Sequence, residues 1–174
     1  MTPEPLQLDR IREANRRYVD AFEGTPLDAR PARHLALLTC MDARLDLFRE
    51  LGLAVGDAHI VRNAGGRATD DALRSLALSA HKLETREFGV IHHTECGLHG
   101  ASNDELRRLV SAGSRAAAVD VDFLPFDDLD ASVTADVTRV IESQLLPPEG
   151  RIWGAVIDAH HGELRVVCEP VPLG

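Results

Sequence analysis

The sequence is short of several things, and each shortage excludes a class of protein. Basic residues number 19 against 28 acidic ones, a formal net charge of −9. That balance excludes a typical nucleic-acid binder, which needs a basic face. No apolar run approaches the roughly 20 residues of a membrane span. The N-terminal stretch MTPEPLQLDRIREANRR is too charged for a secretion signal. Three cysteines, Cys40, Cys96 and Cys168, are too few to form a disulfide scaffold in 174 residues. In a reducing compartment they read instead as metal ligands or a catalytic thiolate. Repeats and low-complexity tracts are lacking, and Lys82 is the single lysine, a skew that fits a GC-rich coding sequence better than a mechanism. What is there, 44% hydrophobic and 27% charged residues, is the composition of a folded globular chain. The expectation is one soluble, cytoplasmic domain over residues 1–174, with no membrane or nucleic-acid partner.

The apolar pattern alternates between two periods. Leu8, Ile11, Tyr18, Val19 and Phe22 fall near helical spacing over residues 5–23, an amphipathic arm that ends before the Pro26–Pro31 linker. HLALLTC (34–40) is a nearly continuous apolar run, as in a buried parallel strand. A short helix is expected over 46–51, a second strand over 58–64, and then a helix capped by Thr69 with Asp70 and Asp71 in its first turn. EFGVIHH (87–93) reads as a third strand, 102–112 as a helix capped by Ser102 or Asn103, and 116–126 as a fourth strand. A helix follows from Ser132 to the Pro147-Pro148 stop, with Val133, Val137, Val140, Ile141 and Leu145 on one face. The last segment reads as a hairpin turning near His161-Gly162. This order implies an α/β protein, a three-layer, mostly parallel sheet flanked by helices with an antiparallel edge strand near the C-terminus. In such sheets, sites gather beyond the carboxyl ends of the strands. Cys40 ends the first expected strand, Arg62-Asn63 lies at the end of the second, and His93 to Cys96 close the third.

Those strand ends carry the chemistry. Two thiolates and an imidazole, Cys40, Cys96 and His93, are a reasonable ligand set for zinc, and three protein ligands leave a fourth position open, as catalytic sites do. A lone cysteine at a strand end is more often a small core residue, so the weight rests on both halves reaching strand ends together. Asp42 and Arg44 follow Cys40 within one loop. An arginine fork can keep a carboxylate ionised beside a metal. Asp42 would then either accept the proton of a zinc-bound hydroxide and orient it, or swing onto the metal as fourth ligand. The plainer reading is a surface ion pair, worth about 0–1 kcal/mol.

Cys40-Met41-Asp42-Ala43-Arg44, then Arg62-Asn63-Ala64-Gly65-Gly66, then His93-Thr94-Glu95-Cys96-Gly97 make a pattern that resembles the β-class carbonic anhydrases, especially their small bacterial members. The resemblance spans residues 33–100 at motif level, and the later elements agree in order. It implies Zn2+ on Cys40, His93 and Cys96, an Asp42–Arg44 dyad, a catalytic core over residues 33–174, and reversible hydration of carbon dioxide to bicarbonate and a proton. It also implies a homodimer or higher homo-oligomer, with the leading helix of one subunit on its partner. The sequence departs from the family pattern at Ala43, where serine is common, and offers no match to the pocket glutamine of plant-type members. With aromatics at 4%, the pocket is expected to be mainly aliphatic.

Two other functions fit the same ligands: hydrolysis of carbonyl sulfide or carbon disulfide, linear molecules like carbon dioxide, and zinc-dependent binding or sensing without turnover. The dyad argues against the last, since a metal clip has no use for it. His99 is a candidate proton carrier at the rim, or an ordinary loop histidine. His92, on the opposite strand face from His93, is expected to pack or hydrogen-bond. Gly65-Gly66 would let backbone approach the site, Gly97 would start a short helix, and Glu95 would be solvated or accept a hydrogen bond near the ligands.

Overall fold

In the computed structural model, which describes residues 7–24 and 26–174, five strands form one sheet in the order β2-β1-β3-β4-β5. They are β1 Leu35–Cys40, β2 Ala58–Asn63, β3 Glu87–His93, β4 Arg151–Ile157 and β5 Leu164–Pro172. The first four run parallel, and β5 returns antiparallel on β4 as the expected hairpin. The sequence dictates this arrangement through its side-chain alternation. On β1 and β3, Ala36, Leu38, Phe88 and Val90 face one core. Leu37 and Ile91, one residue out of step, face the other. Both faces are therefore apolar, and both need a helical layer.

Helices α3 (Asp70–Leu83) and α5 (Leu129–Glu142) cover the first face, with Leu73, Leu76, Val133, Val137 and Val140 buried against the strands. The second face is covered by α2 (Leu47–Glu50), α4 (Asn103–Gly113) and loop residues such as Leu45 and Leu98. Thr69 caps α3 by accepting a hydrogen bond from Ala72 N, and Ser102 forms a capping box with Glu105 at α4, the terminus the sequence announced.

Three expectations need correction. Residues 116–126 form no strand: the segment is irregular, Leu124 has a positive φ of 55°, and one isolated bridge joins Phe126 to His99. Its acidic residues Asp120 and Asp122 and its Pro125 suit a loop better than a ladder. Helix α5 starts at Leu129, because Asp128 takes the capping role by accepting from Ala131 N; Ser132 sits inside the helix, and Leu145 lies beyond its end. Gly97 opens a turn closed by His99 N donating to Cys96 O (3.0 Å), and helix begins only at Asn103. β2 and α2 shift by one residue at their ends, β2 ending at Asn63 and α2 spanning Leu47–Glu50, while the arm helix stops at Asp20, three residues before the expected 23.

The arm is helix α1, Gln7–Asp20, and it buries none of its residues. Residues 5 and 6 of the expected arm lie outside the described residues. Leu8, Ile11, Tyr18, Val19 and Phe22 are all more than half exposed, so the apolar stripe has no cover within the described chain.

The strand order positions the site. From β1 the chain moves outward to β2, then crosses back to β3 on the other side of β1. The reversal opens a crevice at the carboxyl ends of β1 and β3. Cys40 and His93 are the last residues of those two strands.

Candidate metal centre

In that crevice one ligand atom each of Cys40, His93 and Cys96 come together, all within 4.8 Å of one another and all from buried residues. Cys40 and His93 are carried by adjacent strand ends, and Cys96 is brought back by the tight turn after β3, where Glu95 takes a positive φ of 54°. His93 Nδ1 lies 2.8 Å from Thr94 O, so that nitrogen carries the proton and donates it. The lone pair is left on Nε2, which is fully buried and has no hydrogen-bond partner. A buried acceptor without a donor is costly, and facing two sulfurs it is what a divalent metal would satisfy. The three residues therefore fit the group that their spacing implied.

The electrostatics of the metal-free cluster keep one of its two sulfurs as a thiolate. The Cys96 thiol hydrogen-bonds to Cys40 and lowers the Cys40 pKa to about 4 against the opposing effect of burial. The same contact, with burial, pushes Cys96 well up, so the pair holds one thiolate and one thiol. Backbone N–H groups of Asp42 and Gly65 also support the Cys40 sulfur. Burial presses His93 toward its neutral form, and the Cys40 sulfur, Thr94 carbonyl and Asp42 outweigh it and raise its pKa.

Asp42 and Arg44 form the expected dyad. Arg44 donates Nε to Asp42 Oδ1 at 3.0 Å and Nη2 to Oδ2 at 2.8 Å, and its backbone N adds a third bond to Oδ1 at 2.9 Å. These bonds hold the Asp42 carboxyl well below the usual carboxylate range. Asp42 Oδ2 is 3.8 Å from His93 Nε2, at the edge of the three-residue cluster. A cavity of about 380 Å³ opens over the cluster, lined by Met41, Ala43, Ala64, Gly65, Gly97 and Leu98 along with the cysteines and Asp42. No aromatic is among these lining residues, in line with the expected aliphatic pocket.

The glycines explain how the backbone gets so close. Gly66 has φ +70°, and a Cβ there would lie 2.9 Å from Cys40 N. The expected close approach is real: Gly66 packs on the Cys40 backbone and Gly65 reaches its sulfur.

Other residues fall differently. His99 turns its Nε2 to Asp127 O at 3.0 Å and stacks on Phe126, so it braces a loop. Cys168, on β5, is half-buried beside Thr134 and takes no part in the cluster. Glu95 accepts hydrogen bonds beside the ligands, as expected, and its partners are what the sequence did not show. Arg44 Nη1 also donates to Glu95 Oε2 (3.2 Å), and Glu95 Oε1 accepts from His160 Nε2 (3.0 Å). Only folding brings the β4–β5 turn to this loop, and no local spacing signals it.

An α/β sheet that delivers two cysteines and a histidine to its switch point, with a guanidinium-held carboxylate beside them, presents a buried cluster that could hold a metal ion with three protein ligands. The comparisons make this particular. A family model for carbonic anhydrase matches residues 35–118. Beta-carbonic anhydrase 1 of Mycobacterium tuberculosis is 47% identical over 154 residues, covering 86% of this chain and 91% of the relative. A carbon disulfide hydrolase of an Acidianus species is 42% identical over 156 residues, covering 76% of each. Among solved structures, the carbonic anhydrase of Streptococcus mutans superposes with a TM-score of 0.89 at 42% identity, over 94% of this chain and 99% of that one. The chain belongs to the β-carbonic anhydrase family of enzymes.

Proposed function

We propose that this chain catalyses the reversible hydration of carbon dioxide at a zinc ion held by Cys40 Sγ, Cys96 Sγ and His93 Nε2. The observation that carries the reading is the buried, unpartnered His93 Nε2 facing two cysteines. In such a donor set zinc supplies a water acidic enough to give hydroxide near neutral pH. Asp42, kept ionised by Arg44, would accept a hydrogen bond from the group bound there and orient it. The same three Arg44 bonds hold Asp42 back from becoming a fourth ligand. Met41, Ala43, Ala64 and Leu98 give a small apolar chamber for a substrate that makes no strong hydrogen bonds.

We read residues 1–174 as one domain, core plus arm, working in the cytoplasm as a homodimer or larger homo-oligomer. The uncovered apolar stripe of α1 supports the assembly, and free cysteines used as ligands suit a reducing compartment.

Stopped-flow hydration by the zinc-loaded protein tests the reading. Hydration far above that of Cys40→Ala is expected, and equal rates would overturn it. A second reading, hydrolysis of carbon disulfide, is favoured by the carbon disulfide hydrolase relative. Sulfide release exceeding bicarbonate turnover would establish that substrate instead. Stoichiometric zinc with neither activity would leave a binding protein.

A further inference from the structure

Behind the metal centre, on the α5 side of the sheet, lies a buried carboxylate that the proposed chemistry does not use. Asp136 is 3% exposed and reaches the metal-bearing strand ends from two directions. Its Oδ1 accepts from Ala68 N at 3.0 Å and its Oδ2 from Arg67 Nε at 2.6 Å. His92 Nε2 stands 3.2 Å from Oδ2, close enough for electrostatic attraction though it does not meet the geometry of a full hydrogen bond. Burial pushes the Asp136 carboxyl up, and His92, Arg67 and the Ala68 amide outweigh it, so the group stays ionised.

Each contact leads to a ligand. Residues 64–68 form the pad under Cys40: Met41 N donates to Asn63 O (2.8 Å), the Gly65 N–H supports the Cys40 sulfur, and Gly66 packs directly on the Cys40 backbone. The Asn63 side chain closes the pad by pairing with Arg67 N and O at 2.8 and 2.7 Å. The far end is held by Asp136. On the other strand, His92 precedes His93 on β3, and its ring is fixed between Asp136 and Ser132 Oγ (3.0 Å from Nδ1). Arg67 also donates Nη1 to Leu124 O, which ties the irregular 116–126 segment into the same cluster.

We propose that Asp136 is a positioning residue of the metal centre, whose buried carboxylate, clasped by the Arg67–Ala68 backbone turn and the His92 ring, holds the ends of β1 and β3 so that Cys40 and His93 stand at ligand spacing. The inference rests on the proposed metal ligation and is independent of the substrate. Partners that orient ligands in this indirect way typically alter metal affinity by about 10–100-fold when removed. An asparagine at this position keeps the shape but turns an N–H₂ donor toward the Ala68 or Arg67 donors.

The test uses the full chain as wild type, Asp136→Asn, Arg67→Gln and, as a control on the same helix, the surface substitution Asp130→Asn. Zinc affinity is measured at one pH by competition with a chromogenic chelator, and thermal unfolding is measured on the metal-free proteins. Asp136→Asn is expected to weaken zinc about tenfold or more. Arg67→Gln should act in the same direction by less, and Asp130→Asn should leave zinc affinity unchanged. A twofold or smaller change for Asp136→Asn, with lowered stability of the metal-free protein, would make the carboxylate merely structural and overturn the proposal. Should Asp136→Asn fail to fold, Arg67→Gln decides: unaltered zinc affinity overturns the proposal, and weakened affinity supports it. Wild-type protein that takes up no zinc would instead defeat the ligand assignment itself.

Discussion

At the scale of single residues, the centre is organised by groups that are pulled away from their ordinary protonation. The clearest exposed case is the Glu95–His160 pair beside Arg44. His160 is raised by Glu95, and Glu95 is lowered by His160 and Arg44. The sign follows. The ion pair exists above the lowered Glu95 pKa and below the raised His160 pKa, and its contribution is lost as pH leaves that window on either side. A proton NMR titration should place the His160 midpoint above the ordinary value of about 6.5. Glu95→Gln should move it down, and an unmoved midpoint would mean the pair does not form in solution. The Cys40–His93–Cys96 cluster and the Asp42–Arg44 pair were legible in the sequence because each sits within a few residues of a strand end, so local pattern sufficed. Arg67 and Asp136 were not legible. They are 69 residues apart, on elements whose contact depends on the crossover from β1 to β2 and back. His99 lies in an exposed loop, one of the two readings its position allowed, and only its stacking on Phe126 was illegible, because it comes from a loop whose path the sequence does not announce.

At the scale of elements, the turn of residues 64–66 between β2 and α3 brings the backbone closest to the ligands. Gly66 combines a left-handed φ of +70° with backbone atoms of Thr39 and Cys40 about where a side chain would start. Gly66→Ala should therefore destabilise the protein by about 2 kcal/mol or more. Thermal unfolding should fall by roughly 5 °C or more, with weaker zinc binding because Cys40 is displaced. Gly52→Ala is the control, since it shares a positive φ (+60°) but nothing lies within 4 Å. It should cost only the backbone penalty, and equal losses at both sites would show that the close approach matters little. Element boundaries were legible where a cap was unambiguous, as at Thr69 and Ser102. They failed where two caps competed. At α5 both Asp128 and Ser132 can cap, and the helix uses the earlier one, which brings the partly buried Leu129 into it.

At the scale of the molecule, the sheet is covered by its own helices while α1 is not used by its own core. Its stripe of Leu8, Ile11, Tyr18, Val19 and Phe22 is the kind of surface that a second copy of the chain would cover. Sedimentation velocity should give a dimer or larger species for the wild type and a shift toward monomer for the double substitution Ile11→Glu, Val19→Glu. Identical masses for the two would remove the arm from the assembly. The overall architecture was legible because apolar runs and amphipathic stripes alternate along the chain. The unused face of α1 was legible too, but what it packs against is a property of the assembly and leaves no local mark in the sequence. The centre itself joins all three scales, since residues from distant parts of the chain must converge on one ion. The direct measurement is zinc-edge X-ray absorption on the loaded, full-length protein. Two sulfurs at about 2.3 Å, one nitrogen at about 2.0–2.1 Å and one further light atom are expected. A shell of light atoms alone, or a protein that retains no zinc, would contradict the account.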